Sequence, residues 1–165
     1  MSFDPFRELG LEPSFDIDPD ALEAAYLRLS RETHPDHAAM ADLSPAELAE
    51  RLGRAARVND AFRTLSDPWR RARALIDRQD AEAFEASKKL DPMFLAEAME
   101  LAEEVADCTP EARPALRDRL EERIATDLEA IRAALAAGDV HAAATRLHQS
   151  RYHQKARADL DAASA

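Results

Sequence analysis

The sequence predicts an all-α fold, and three observations carry that expectation. Alanine, leucine, glutamate and arginine dominate the composition, and these are strong helix formers. Glycine occurs only three times in 165 residues and valine and isoleucine are scarce, which argues against sheets. Six of the nine prolines follow Asp, Ser or Thr. Such a pair puts an N-cap side chain before a proline at the first helical position. The cap oxygen accepts an orphan N–H, and proline there gives up no intrahelical bond. The chain can build one ordinary domain or two small ones, and its 46% apolar residues supply a core.

The proline pairs divide the chain into helices. Asp4-Pro5 opens a short one to about Leu9, with Phe6 and Leu9 inward. Asp18-Pro19 opens a second to about Thr33, with an apolar stripe of Leu22, Ala25, Tyr26 and Leu29. Ser44-Pro45 opens a third to about Leu65, and Glu47 adds a capping box. Its expected stripe is Leu48, Leu52, Ala55, Phe62 and Leu65, with Glu47/Arg51 and Glu50/Arg54 spaced for i,i+4 pairing. Asp67-Pro68 opens a fourth. From about Asp77 to Leu90 the pattern fades into a charged stretch, read as a connection between domains. Asp91-Pro92 opens a fifth helix to about Asp107. Thr109-Pro110 announces a sixth to about Ala137, with Leu116, Leu120, Ile124, Leu128, Ile131 and Leu135 inward. Pro114 lies too deep for a helix starting at Pro110, so a distorted first turn or a later start is expected. Gly138 ends that helix, and Asp139 can cap a seventh to about Leu160.

Charge and cysteine usage narrow the function. A formal net charge of -11 opposes a nucleic-acid or anionic-membrane role. The single cysteine, Cys108, allows no internal disulfide and no multi-cysteine zinc site. The stretch "MSFDPFRELG" has neither a basic region nor an apolar run, and no window approaches a membrane span. A cytoplasmic protein is expected.

His34-Pro35-Asp36 departs from the capping rule, because histidine is a poor N-cap. It falls in a loop of about ten residues before the next capped helix. One reading is a plain turn, with proline ending the second helix and Asp36 capping nearby backbone. Another is a metal site, even a metal-dependent hydrolase, built on His34, Asp36 and His37. These are ligand types, but they lack the i,i+4 spacing of a zincin and a firm further ligand. Nucleophilic catalysis by Cys108 finds no histidine partner in sequence, and a small buried residue is the alternative there.

The segment "RVNDAFRTLSDPWRRARAL" at 57 to 75 bears on that choice. With the short first helix and the tripeptide after the second, it resembles the J-domain co-chaperones over about residues 3 to 78. Asn59, Ala61, Phe62, Leu65, Ser66, Asp67, Pro68 and Arg71 fall where that pattern wants them. The resemblance implies a protein that binds a DnaK-type ATPase and stimulates it without supplying a chemical group. It assigns the chaperone contact to His34, Pro35 and Asp36 and to a basic face with Arg28 and Arg31. Asp36 suits a bidentate contact with a partner arginine, and Pro35 lowers the ordering cost of the loop. Glu23 and Glu32 dilute the basic face, and His37 stands where many family members place lysine.

The fifth helix carries two apolar stripes. Phe94, Ala98, Leu101 and Val105 face inward; Leu95 and Met99 lie about 100° around the helix. From Leu90 to Ala112 there is no Lys or Arg, while seven residues are acidic. This reads as a solvated acidic face or as an apolar strip with an acidic rim for a basic partner surface. Tyr152 lies off the inward positions of the last helix. The segments "DPMFLAEAMELAEEV" and "RLHQSRYHQKARADL" are similar to the client-binding segments of the HscB family of iron–sulfur co-chaperones.

That resemblance implies an N-terminal J-domain over 1–78, a linker over 79–90 and a C-terminal three-helix bundle over 91–165. It implies a client, the iron–sulfur scaffold of the IscU type, bound through Leu95, Ala96, Met99, Glu100, Glu103 and Tyr152. It also implies a specialised chaperone of the HscA type and no cofactor. At Ala96 the family commonly has methionine. A J-protein for another client, the hydrolase and a structural helical adaptor remain as alternatives.

Overall fold

The computed structural model describes residues 3–33 and 43–163, and among these it is all helical. The chain divides into two compact units, Met1–Leu75 and Ile76–Ala165.

In the first unit the capping chemistry is as expected. Helix α1 (Pro5–Leu9) is capped by Asp4, whose Oδ1 accepts from the N–H groups of Phe6 and Arg7 at 3.1 and 3.3 Å. Gly10 closes it at φ 66°, a left-handed conformation that suits a residue without Cβ. Helix α2 (Pro19–Thr33) buries Leu22, Ala25 and Leu29. Helix α3 (Pro45–Ser66) packs on both and buries Val58, Ala61 and Leu65. Helix α4 (Pro68–Gln79), which continues past Leu75 into the second unit, is capped by Asp67, which accepts from Trp69 and Arg70 N–H, each at 2.9 Å. Tyr26 stacks on Phe62 at 4.2 Å and donates to Asn59 Oδ1 at 3.0 Å, tying α2 to α3.

Two expectations for α3 need correction. Leu52 is 50% exposed, not inward. Thirteen residues separate it from Leu65, and at about 100° per residue that carries it roughly 140° off the buried face. The core positions are Val58 and Ala61 instead. The i,i+4 pairs are also replaced. Glu47 closes the capping box on Ser44, accepting from its N–H at 2.9 Å, and Arg54 meets Glu32 of α2 at 3.6 Å. Bonds from the Ser44 hydroxyl and then its N–H hold the Glu47 carboxyl below the usual glutamate range. A depressed carboxylate contributes fully above its unfolded value, and the contribution is lost as pH falls through the lower folded one. Ser44→Ala is expected to cost about 1 kcal/mol of first-unit stability, read by chemical denaturation.

Arg71, on α4, is an internal clamp. Its Nε donates to Leu65 O at 2.8 Å and its Nη1 to Phe15 O at 2.6 Å. Burial pulls this guanidinium below its usual value, and the charges of Asp16 and Asp67 oppose that. Both bonds go to carbonyls, so the clamp fixes the α1–α2 connection against the end of α3.

In the second unit, the stretch expected as a connection holds a helix, α5 (Ala83–Ala86). Phe84 there is buried and stacks on His148 at 3.9 Å; His148 Nε2 donates to the Phe84 carbonyl at 2.7 Å. The one aromatic in a charged run was the available signal. Helix α6 (Pro92–Ala106) is capped by Asp91, which accepts from Met93 N–H at 2.8 Å. Helix α7 (Arg113–Ala136) starts late, so Pro114 falls in the first turn, where its missing N–H is not needed. Gly138 (φ 74°) turns the chain and Asp139 caps α8 (Val140–Ala162), accepting from Ala142 N–H at 2.9 Å. Helices α7 and α8 pair as a hairpin, and α6 packs on α8. Val105, Leu116, Leu120, Ala156 and Leu160 form a core cluster, with Leu101 and Cys108 against it. No helix among the described residues is long and apolar enough to cross a membrane.

Candidate partner-binding surfaces

Helix α6 shows the two faces its sequence implies. Phe94 and Val105 are buried and Ala98 and Leu101 half-buried, while Leu95, Ala96, Met99, Glu100 and Glu103 are exposed. Met99 is 67% exposed, a large apolar surface to leave in water. Tyr152 of α8 joins this region: it is exposed, yet its ring meets Phe94 edge-on at 5.6 Å. Phe94, the neighbour of Leu95 in sequence, is thus a buried strut against the tyrosine of a different helix.

Beneath that surface lies a polar network. Asp127 is 1% exposed, and its Oδ2 lies 2.5 Å from His153 Nδ1; Arg146 reaches its Oδ1 at 3.4 Å. Arg123 Nε donates to His153 Nε2 at 3.0 Å, so that nitrogen accepts. His153 is therefore neutral, with its proton on Nδ1 and donated to Asp127. Its ring also meets Phe94 edge-on at 5.9 Å. The network was not anticipated, although a signal existed. Asp127 comes seven residues after Leu120 and His153 seven before Leu160, so each is a polar residue set in an apolar stripe.

Between α6 and α7 is a cleft of about 270 Å³. Phe94, Ala98, Leu101 and Leu120 supply its apolar walls. Two exposed ion pairs span it: Glu97 with Arg123 at 3.5 Å, and Glu104 with Arg119. The hydrogen bond from Arg119 holds the Glu104 carboxyl below its usual range and raises the guanidinium in return.

In the first unit, Arg28 and Arg31 lie exposed on α2. Arg28 is 3.5 Å from Glu32, which is also the partner of Arg54, so one acid is shared between two cations. His34, Pro35, Asp36 and His37 lie outside the described residues. Among the described residues, no group of three or more His, Cys, Asp or Glu is arranged to hold a metal ion.

Comparison with known proteins follows the same division. Residues 90–161 match the model of the HSCB C-terminal oligomerisation domain. A co-chaperone protein HscB homolog of Bordetella pertussis is 34% identical over 164 residues, covering 97% of this chain and 95% of the relative. The chain belongs to the HscB co-chaperone family. The structure of the chaperone HscB from Vibrio cholerae superposes with a TM-score of 0.80 at 30% identity, covering 98% of this chain and 97% of that one. Human co-chaperone protein HscB shares the fold, with a TM-score of 0.81 at 24% identity. HscB architecture, an N-terminal J-like domain and a C-terminal helical domain, is thus the architecture of this chain. The HscB match spans the surface residues of α6 and α8, not the J-like signature alone.

Proposed function

We propose that this chain is a non-enzymatic cytoplasmic co-chaperone for iron–sulfur cluster assembly. It binds a cluster scaffold of the IscU type through the second unit. It presents that scaffold to a DnaK-type ATPase of the HscA type and stimulates the ATPase through the first. The carrying observation is the strip of Leu95 and Met99 with Tyr152 nearby, exposed on a helix whose other face is already packed. Glu100 and Glu103 give the strip an acidic edge, suited to a basic scaffold surface. Arg28, Arg31, His34, Pro35 and Asp36 are the proposed chaperone contacts.

Titration of purified scaffold against the full chain tests the reading. Leu95→Ala with Met99→Ala removes two apolar anchors, and each anchor is worth about 1–2 kcal/mol. A fall in affinity on the order of 30-fold is expected, with ATPase stimulation in the absence of scaffold unchanged. Wild-type protein that fails to bind the scaffold rules the reading out. Ala96, in place of the family's methionine, reduces apolar area and favours a second reading, a J-protein with a different client. Recovery of an ATPase chaperone without scaffold in a pull-down supports that one.

A further inference from the structure

Helix α6 is anchored near its two ends. Phe94 and Val105 are its buried residues. Val105 belongs to the core cluster with Leu116, Leu120, Ala156 and Leu160. Phe94 lies roughly 16 Å from it along the helix axis. It rests instead on two rings of α8, meeting Tyr152 and His153 edge-on at 5.6 and 5.9 Å. Leu95 follows Phe94 directly and Met99 comes one turn later, so the exposed strip takes its place from the Phe94 end.

Tyr152 is exposed, so the firm support under Phe94 is the buried His153 imidazole. That ring is held at both nitrogens. Asp127 Oδ2 takes the Nδ1 proton at 2.5 Å, and Arg146 on the other oxygen keeps Asp127 an acceptor. Nε2 must then accept, and Arg123 Nε is the donor at 3.0 Å. Arg123 also reaches α6, its Nη2 lying 3.5 Å from Glu97. That ion pair is exposed on both sides and contributes little. The bond to the ring matters more, because a buried acceptor left without its donor keeps its desolvation cost.

We propose that Arg123 is a positioning residue for the Leu95–Met99 strip. It fixes the His153 imidazole, and the imidazole fixes Phe94 and the N-terminal half of α6. The worth of that placement to a partner rests on the scaffold reading; the placement itself does not. Without the guanidinium, Nε2 is left to the cleft that His153 lines, and water takes the donor's place. The ring loses its fixed tilt. The strip then loses order that a partner must restore on binding.

Each link is read by its own measurement on the full chain, using Arg123→Met, Glu97→Gln and Phe94→Leu. Methionine keeps an apolar stem and removes every donor at an exposed position, and melting curves check folding first. Nitrogen NMR reads the first link. Scalar coupling between Arg123 Nε and His153 Nε2 across their hydrogen bond is expected in the wild type and in Glu97→Gln; its absence overturns the proposal. Hydrogen exchange reads the second. In Arg123→Met the amides of Ala98 and Met99 are expected to exchange about tenfold faster, while those near Val105 hold. An unchanged α6 overturns the proposal, and so does a uniform rise, which mere loss of stability produces.

Scaffold titration reads the third link. Arg123→Met is expected to weaken binding about tenfold, and Glu97→Gln to keep the wild-type affinity. In the Phe94→Leu background, where the ring contact is already cut, Arg123→Met is expected to add little. Additive losses overturn the proposal, because Arg123 then acts on the partner by another route. Scaffold that fails to bind wild-type protein ends the scaffold reading, and the coupling and exchange results then decide the role of Arg123 on their own.

Discussion

Asp127→Ala is expected to destabilise the second unit by about 3 kcal/mol. The carboxylate is 1% exposed, and it accepts from His153 on one oxygen and from Arg146 on the other. Alanine leaves the His153 Nδ1–H buried without an acceptor, strands part of the Arg146 charge and opens a void. Relief of the desolvation of one carboxylate offsets some of this, but Arg146 already compensates that charge. Asp127→Asn keeps the shape and one acceptor oxygen, so it is expected to cost roughly half as much. At about 4–8 °C per kcal/mol for a unit of this size, the alanine variant should melt more than 10 °C lower by circular dichroism. Equal stability of wild type, asparagine and alanine variants would falsify the assigned network.

Asp36→Ala is expected to abolish stimulation of the ATPase partner. On the proposed reading, the Asp36 carboxylate is a bidentate acceptor for a partner arginine, and Pro35 limits the backbone freedom beside it. Truncating one member of such a charge pair costs about 2–5 kcal/mol at a protein interface, enough to empty the complex at working concentrations. Asp36→Asn keeps the shape and loses the charge, so it separates an ionic contact from a turn-forming one. Scaffold affinity is expected to stay at the wild-type value in both variants, since Asp36 belongs to the first unit and the α6 strip to the second. Stimulation that survives Asp36→Ala assigns the tripeptide to turn formation alone.

The helices were legible because their boundaries are chemical. Asp4, Ser44, Asp91 and Asp139 each cap the helix that their position announces. The late start at Arg113 followed from one proline. Leu52 was misplaced because a stripe read over many residues drifts when the helical period is not a whole number of residues. The α6 strip was readable, because surplus apolar residues on a helix with a filled core face must go outward. The Asp127–His153–Arg123 network was not recognised, because His153 is 26 and 30 residues from its two partners, which lie on another helix. Only the fold brings them together, and burial sets Asp127 and His153 apart from the surface charges around them.

Phe84 has a practical consequence for anyone cutting this chain. The family model begins at residue 90, and a fragment made to those bounds lacks the carbonyl that takes the His148 proton and the ring that covers its imidazole. Such a fragment exposes a bare patch on α8, on the helix that carries Tyr152. Its affinity for any partner then reports the missing plug as well as the surface under study. A fragment beginning at Ile76 carries its own lid.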